Sequence, residues 1–344
     1  MADNIKVGIS IGDINGIGME VVIKTFLDNR MMEICTPIVY GSSKIASIHR
    51  KALDIADFSF NVIQKAEDAN PKRANLLNLW QEEVEVNLGE STANGGKYAF
   101  HSLKAAVEDL ASGKTDVLVT APINKKNIQS EDFNFAGHTE FLADYSNEDN
   151  PLMILCDQGL RVGLVTGHLP IKDVAQALNK ELIKSKIELF NKTLKQDFGI
   201  DKPKIAVLGL NPHAGDEGLL GMEEQEIISP AIKDSFNQGI IALGPYPADG
   251  LFGSSTFSKF DGILAMYHDQ GLAPFKAMAF HNGVNYTAGL PIVRTSPDHG
   301  VGYDIAGKNQ ASENSFRQAI YLACDIFRTR KSNKQLVANS LSAK

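Results

Sequence analysis

Apolar and polar positions along the chain follow two rhythms. Short, often β-branched apolar runs read as buried strands at Val7–Ile11, Pro37–Tyr40, Asp116–Thr120, Met153–Cys156, Val162–Thr166, Ile205–Leu208 and Ile263–Met266. Between them lie stretches whose apolar residues recur every three or four positions, as on one face of a helix. These are Met19–Leu27, a stretch from Lys44, Tyr98–Leu110, Val174–Lys195, Glu223–Phe236 and Asn314–Phe327. Leu103, Val107 and Leu110 share one face of the third, and Gly113 stops it. Strands apolar at every position are covered on both faces, so the alternation predicts an α/β architecture with a largely parallel sheet. From Arg328 the chain turns polar and basic, and is expected to be a fraying helix end or disordered.

Three of the eight histidines stand directly after such runs: His168 after RVGLVTG, His213 after KIAVLGLNP and His268 after DGILAMY. In open α/β sheets ligands bind at the carboxyl ends of the strands, and imidazole is the commonest ligand for zinc and similar ions. The three lie 45 and 55 residues apart, too far for a finger or ribbon. A metal site made from them would have to be assembled by the fold. Taken singly, each also reads as a loop histidine bonded to backbone.

Composition narrows the class. A net charge of −7 and a pI near 5.7 argue against a nucleic-acid or membrane-surface partner, while leaving room for a local cationic pocket. Cys35, Cys156 and Cys324 stand singly with no CxxC, which suits a reducing cytosol and a cytoplasmic protein. MADNIKVGISIG carries neither a basic n-region nor a long apolar core, so no signal peptide is expected. No window approaches 18 uninterrupted apolar residues, so no membrane span is expected either.

The glycines at 12, 16 and 18 follow the first strand but miss the G-x-G-x-x-G spacing of a Rossmann turn, and the chain has no Walker A sequence. They read as a strand-to-helix turn that uses glycine for positive φ and close packing. DHGVGYDIAGK (Asp298–Lys308) crowds a histidine, three glycines and an aspartate into a loop before a helix. Its glycines expose N–H groups to phosphate, and Asp304 could bond a ribose or orient a neighbour. This loop resembles the H-G-x-x-x-D-I-A-G cofactor loop of isopropylmalate and isocitrate dehydrogenases, which bind NAD(P) without a Rossmann fold. A plain glycine-rich loop is the other reading.

His138 and Thr139 open a helix at EFLADY, which sets an imidazole and a hydroxyl at its positive end. Lys276, Asn285 and Arg294 lie in segments around the histidine-bearing strands. A lysine, an arginine and a helix N-terminus together would hold a phosphate, although Lys276 and Arg294 read singly as solvated surface charges. Asp249 and Asp269 could orient or supplement a metal site, or cap loops.

TAPINK (120–125), GHTEFLA (137–143), TGHLP (166–170), NPHAGD (211–216), GPYPADG (244–250), MYHDQGLAPFK (266–276) and RTSPDHGVGYDIAGK (294–308) occur in order. Together they resemble the 4-hydroxythreonine-4-phosphate dehydrogenase family of pyridoxal-phosphate biosynthesis, over nearly the whole chain. The resemblance implies a cytoplasmic homodimer of the isocitrate/isopropylmalate-dehydrogenase-like fold: two α/β domains, an interdomain cleft shared between subunits and a non-Rossmann cofactor site. On that expectation the first domain is 1–135 plus 290–344 and the second 136–289.

Residue by residue, the resemblance implies His168, His213 and His268 as ligands of one divalent metal (zinc, magnesium or cobalt). It implies His138, Thr139, Lys276, Asn285 and Arg294 as substrate-binding, and His299, Gly300, Asp304 and Gly307 as the NAD or NADP loop. The opening turn departs from the family's usual G-E-P-A-G-I-G-P-E, reading GDINGIGME from Gly12. The FNFAG approach to His138 and Tyr303, where a smaller residue is usual, also depart.

The implied reaction is NAD(P)-linked oxidation of 4-phosphooxy-L-threonine at its C3 hydroxyl, then decarboxylation to 3-amino-2-oxopropyl phosphate in pyridoxine 5'-phosphate biosynthesis. Asp249, Asp269 and Lys276 are candidate bases, alongside an ordered water. Three alternatives stand: a D-threonate or D-erythronate 4-phosphate dehydrogenase, a three-histidine zinc hydrolase, and a metal-free phosphotransacylase-type protein.

Overall fold

Each apolar run expected to be a strand is one in the computed structural model, which describes residues 4–279 and 281–338. In chain order come β1 (Ile5–Ser10), α1 (Gly18–Leu27), α2 (Met31–Ile34), β2 (Cys35–Gly41), α3 (Ser43–Ala52), β3 (Asn61–Ile63), β4 (Asn75–Asn78), α4 (Ala93–Ala111), β5 (Val117–Thr120) and α5 (His138–Tyr145). There follow β6 (Leu152–Asp157), β7 (Leu160–Leu164), α6 (Ile171–Ala177), α7 (Lys180–Gln196), β8 (Lys204–Leu208), α8 (Ser229–Asn237), β9 (Ile241–Tyr246), α9 (Ala248–Phe252), β10 (Gly262–Ala265), α10 (His268–Met278) and β11 (Val284–Ala288). The chain closes with β12 (Arg294–Pro297) and α11 (Asn314–Ala338).

These elements form two units: residues up to Asn147 with Leu290–Phe327, and Glu148–Gly289 with the residues from Arg328. The sequence placed the first boundary at 135/136 and gave the C-terminal residues to the first domain. The 147/148 division instead keeps α5, with His138 and Thr139, in the first unit.

In the first unit β3, β4, β2, β1, β5 and β12 lie side by side in that order, all parallel. Helices on the faces explain why β2 is buried at every position. Leu103, Val107 and Leu110 of α4 are buried as their shared face requires, each burial being worth about 1.5–3 kcal/mol. The helix starts earlier than its apolar face suggests: the Thr92 side chain accepts from the Gly95 N–H and caps it.

In the second unit the order is β11, β6, β7, β10, β8, β9. The last four are parallel, whereas β6 runs antiparallel to both neighbours. The β6–β7 hairpin turns through Gln158 and Gly159, with Gln158 at φ 45°, the conformation that lets a two-residue turn follow strand twist. Phe190 of α7 packs against the sheet so closely that a Cβ at Gly262 would come within 2.4 Å of its ring. The single helix expected over Val174–Lys195 is two, because Asn179 accepts from the Leu182 N–H and starts α7 afresh.

The basic tail continues α11 to Ala338 instead of fraying at Arg328. Arg330 anchors it, donating to Asp197 from Nε at 2.6 Å and to the buried Tyr286 hydroxyl from Nη2 at 2.9 Å. The rest of the tail, from residue 339, lies outside the described residues. Among the described residues no helix is long and apolar enough to cross a membrane.

Candidate active site

The histidine-bearing strands β7, β10 and β8 are consecutive neighbours, with β10 in the middle. Pairing continues past the ends of β7 and β10: the N–H groups of Val165 and Thr166 donate to the carbonyls of Ala265 and Met266 at 2.8 and 3.2 Å. The Thr166 hydroxyl adds a bond to the Met266 carbonyl at 2.7 Å. His168 and His268, just beyond this lashing, have ring centroids 6.0 Å apart. Two imidazoles sharing a tetrahedral ion at about 2.0–2.1 Å would have centroids roughly 5.3 Å apart, so the centroid separation alone lies within an ångström of that value. His268 Nδ1 lies 2.6 Å from Asp269 Oδ1, a carboxylate partner that orients the ring.

His213 is held differently. It opens a run in which His213, Ala214, Gly215, Asp216 and Glu217 all have left-handed φ, between 44° and 81°. Each non-glycine residue there costs about 1–2 kcal/mol. The buried Glu224 carboxylate offsets this by accepting the N–H groups of Leu210 and Asn211, both at 2.7 Å, and Asn211 Nδ2 at 2.9 Å. Gln270 bridges the ends of β8 and β10, donating to the Gly209 carbonyl at 2.6 Å and accepting the Met266 N–H at 2.7 Å. Among the described residues no three His, Cys, Asp or Glu side chains are gathered to hold a metal. The chain therefore brings two of its three candidate histidines together and leaves His213 apart from them. His213 lines a cavity of about 450 Å³ with Asp249, Tyr267 and Gln270. Asp269 is exposed, and Lys276 is exposed on α10, the helix that His268 opens.

In the first unit, Arg294 begins β12 and is 2% exposed. Its Nε and Nη2 donate to Thr120 Oγ1, at the end of β5, at 3.1 and 2.7 Å. Burial pulls the guanidinium down to about 9, with Glu140 acting against the shift, so the group stays charged at neutral pH. His138 opens α5 with its Nε2 buried and without a hydrogen-bond partner. Burial, then the nearby Arg294 and Lys125 charges, hold this imidazole well below its ordinary range and hence neutral. The FNFAG approach is explained by packing, since Phe133 and Phe135 stack around Phe141 of α5 and fix its start. A buried cation beside an unfilled neutral imidazole at a helix N-terminus is suited to a phosphate. Thr139 belongs to the same first turn. Asn285 lies in the other unit, on β11, with its Oδ1 buried and without a partner.

The 298–308 loop, also in the first unit, presents Gly300 and Asp304 to solvent. A Cβ at Gly300 would meet nothing within 4 Å, so its amide can be approached closely. His299 Nδ1 lies 3.0 Å from the Gly300 carbonyl, and Gly307 takes φ +72°. Open glycine backbone beside an outward carboxylate fits the phosphate and ribose of a nucleotide cofactor. Thr120, Glu224 and Gln270 went unmarked in the sequence, although Thr120 opens TAPINK and Gln270 lies two residues after His268.

The family model for "pyridoxal phosphate biosynthetic protein PdxA" matches residues 33–323. A 4-hydroxythreonine-4-phosphate dehydrogenase of Bacteroides thetaiotaomicron is 55% identical over 340 residues, covering 98% of this chain and 93% of its own. A relative from Oceanobacillus iheyensis, whose name proposes a D-threonate 4-phosphate dehydrogenase, is 39% identical over 328 residues and covers 94% and 98%. The crystal structure of a 4-hydroxythreonine-4-phosphate dehydrogenase from Burkholderia phymatum superposes with a TM-score of 0.77 at 36% identity, covering 94% of this chain and 98% of that one. The α/β class expected from the sequence is thus the fold found.

Proposed function

Because the chain belongs to the family of the pyridoxal phosphate biosynthetic protein PdxA, we propose that it is a metal-dependent, NAD(P)-linked oxidoreductase acting on 4-phosphooxy-L-threonine. The C3 alcohol gives a hydride to NAD(P)+ and a proton to a base. The resulting 2-amino-3-oxo-4-phosphooxybutanoate loses CO2, takes up a proton and becomes 3-amino-2-oxopropyl phosphate.

The observation that carries the substrate class is the buried Arg294 guanidinium, held by Thr120 beside the neutral, unfilled His138. A phosphate docked there receives a charge-assisted contact and an imidazole N–H, which fixes the reacting carbon's distance from the anchored end. Lys276 and Asn285 are assigned to substrate as well. His299, Gly300, Asp304 and Gly307 are assigned to NAD or NADP.

His168 and His268 would hold a divalent ion (zinc, magnesium or cobalt), and the family resemblance adds His213, which this structure leaves apart from them, as third ligand; when bound, such an ion would supply Lewis acidity at the substrate hydroxyl. Asp269 keeps the His268 ring oriented. Of the candidate bases Asp249, Asp269 and Lys276, Asp249 has the strongest support, because it lines the cavity that includes His213. Exposed Leu169, Ile171, Leu219, Leu220, Met222 and Met278 follow the histidine segments. These exposed apolar side chains support a homodimer whose second copy covers them and completes the site.

The reading predicts about one divalent ion per chain and NADH or NADPH formation that chelation abolishes and metal restores. His213→Ala should lose both ion and turnover, and normal oxidation by that variant would sink the assignment. Side-by-side turnover of phosphorylated hydroxythreonine and D-threonate 4-phosphate decides between the two substrates named among its relatives.

A further inference from the structure

The departures of the opening turn and the cofactor loop from the family pattern meet in the fold. Tyr303 donates its hydroxyl to Asp13 Oδ2 at 2.7 Å. The same oxygen accepts Asn127 Nδ2 at 2.7 Å, and Asp13 Oδ1 accepts the Asn15 N–H at 2.9 Å. Asp13 is fully buried and Tyr303 half-buried. Asn15 stands where the family pattern has alanine. Its Nδ2 donates to the Glu90 carbonyl at 3.0 Å and Thr92 Oγ1 at 2.8 Å, and its Oδ1 accepts the Asn87 N–H at 2.9 Å.

Backbone contacts bring the same segments together. The Ile17 N–H donates to the Val301 carbonyl at 2.9 Å. A Cβ at Gly16 would meet Val301 Cγ1 at 2.2 Å, and one at Gly302, where φ is +61°, would meet Ile17 Cδ1 at 2.9 Å. The loop therefore lies directly on the opening turn. Tyr303 is its one side chain reaching down to Asp13, while its neighbour Asp304 faces outward.

We infer that Tyr303, through Asp13, is a positioning residue for the nicotinamide cofactor, taking over in this chain an anchoring that the usual smaller residue cannot make. Tyr303 does not touch the cofactor itself; it sets the height and tilt of Gly300 and Asp304 over the turn. Asn15 serves the same end by fixing the 87–92 loop, against which Tyr303 also packs: a Cβ at Gly89 would lie 2.9 Å from the Tyr303 carbonyl. The inference rests on the NAD(P)-linked reading above.

The test is direct titration of the full-length protein with NADH and NADPH, read by nicotinamide fluorescence with no substrate present, alongside thermal unfolding and the KM values of both substrates. Tyr303→Phe removes one hydroxyl, its bond to a carboxylate and the longer bonds it accepts from Asn124 Nδ2 at 3.2 Å and Asn127 Nδ2 at 3.4 Å. It should weaken cofactor binding about tenfold, the effect of one charge-assisted hydrogen bond, and raise the cofactor's KM to match. The KM for the phosphorylated substrate should stay within about twofold. Asp13→Asn should weaken binding similarly, Asp13→Glu should recover most of it, and Tyr303→Phe with Asp13→Asn should be no worse than either alone. Unchanged cofactor affinity in Tyr303→Phe, additive losses in the double variant, or equal rises in both KM values would overturn the inference and leave the dehydrogenase reading standing. Failure of the unsubstituted protein to bind either nucleotide would instead overturn the reading on which it rests.

Discussion

Replacing Arg294 with methionine should make the protein more stable and nearly inactive. The guanidinium is 2% exposed, and burial lowers it from 12.5 to about 9 even with Glu140 opposing the shift. At about 1.36 kcal/mol per unit, the fold bears roughly 5 kcal/mol for keeping that charge out of water. Methionine is a similar unbranched stem without the charge. It orphans Thr120 Oγ1, which now accepts two bonds from the arginine, at a cost of about 1–3 kcal/mol. The balance favours the variant by roughly 2–4 kcal/mol, or about 4–16 °C in the melting of a unit this size. Activity moves the other way. A phosphate loses its buried charge partner, worth about 2–5 kcal/mol, so kcat/KM should fall between about thirtyfold and several thousandfold. Paired calorimetry and NADH-coupled kinetics read both effects. A variant destabilised by more than about 2 kcal/mol would mean that the arginine is there for the fold, as the partner of Glu140. One retaining kcat/KM within threefold would mean that no phosphate sits there.

Other expectations follow from the same reasoning. Lys186 is 7% exposed, donates to the Pro151 carbonyl at 2.7 Å and is lowered by burial to about 8. Its folded value lies below its unfolded one, so its charge opposes folding fully below pH 8 and stops doing so as pH rises to about 10.5. Compared by urea titration, the unsubstituted protein should gain up to about 3 kcal/mol on Lys186→Met across that window; parallel pH curves would refute this. Glu224→Ala leaves the Leu210 and Asn211 N–H groups without their acceptor. It should cost about 2–4 kcal/mol in chemical denaturation and lower metal content, whereas a full complement of tightly bound metal would show that the left-handed segment holds without it.

The strands legible in the sequence were those whose burial is purely apolar. β2 is covered on both faces and reads as a run. β12 is equally buried yet reads Arg-Thr-Ser-Pro, because its polar groups are satisfied by distant partners: Arg294 by Thr120, and the Thr295 hydroxyl by the Ala319 carbonyl at 2.7 Å. No periodicity encodes a partner 174 residues away. β11 alternates as Val-Asn-Tyr-Thr-Ala and went unread for a related reason, since the hydroxyl of its buried Tyr286 is satisfied by Asp197 and Arg330, both far off in the chain. The hairpin at Gln158–Gly159 did carry a local signal, a Gly-containing pair between two apolar runs.

The candidate site divides along the same line. That each histidine follows a strand is a local property, and it was visible. That β7, β10 and β8 are adjacent depends on β10 pairing with strands 101 and 57 residues away, as in Ile263 with Val162 and Gly262 with Ile205, so the approach of His168 to His268 could not be read from spacing. His213 was the least legible, because its left-handed run is mostly non-glycine and is held by Glu224, beyond the motif that names it. A conformation imposed against local preference has no local signature; its cause is the buried carboxylate that makes the alternative worse. The pair His168–His268 is thus set by strand pairing, whereas His213 is set by a side chain that substitution can remove. Loss of Glu224 should therefore move the third histidine and leave the first two in place.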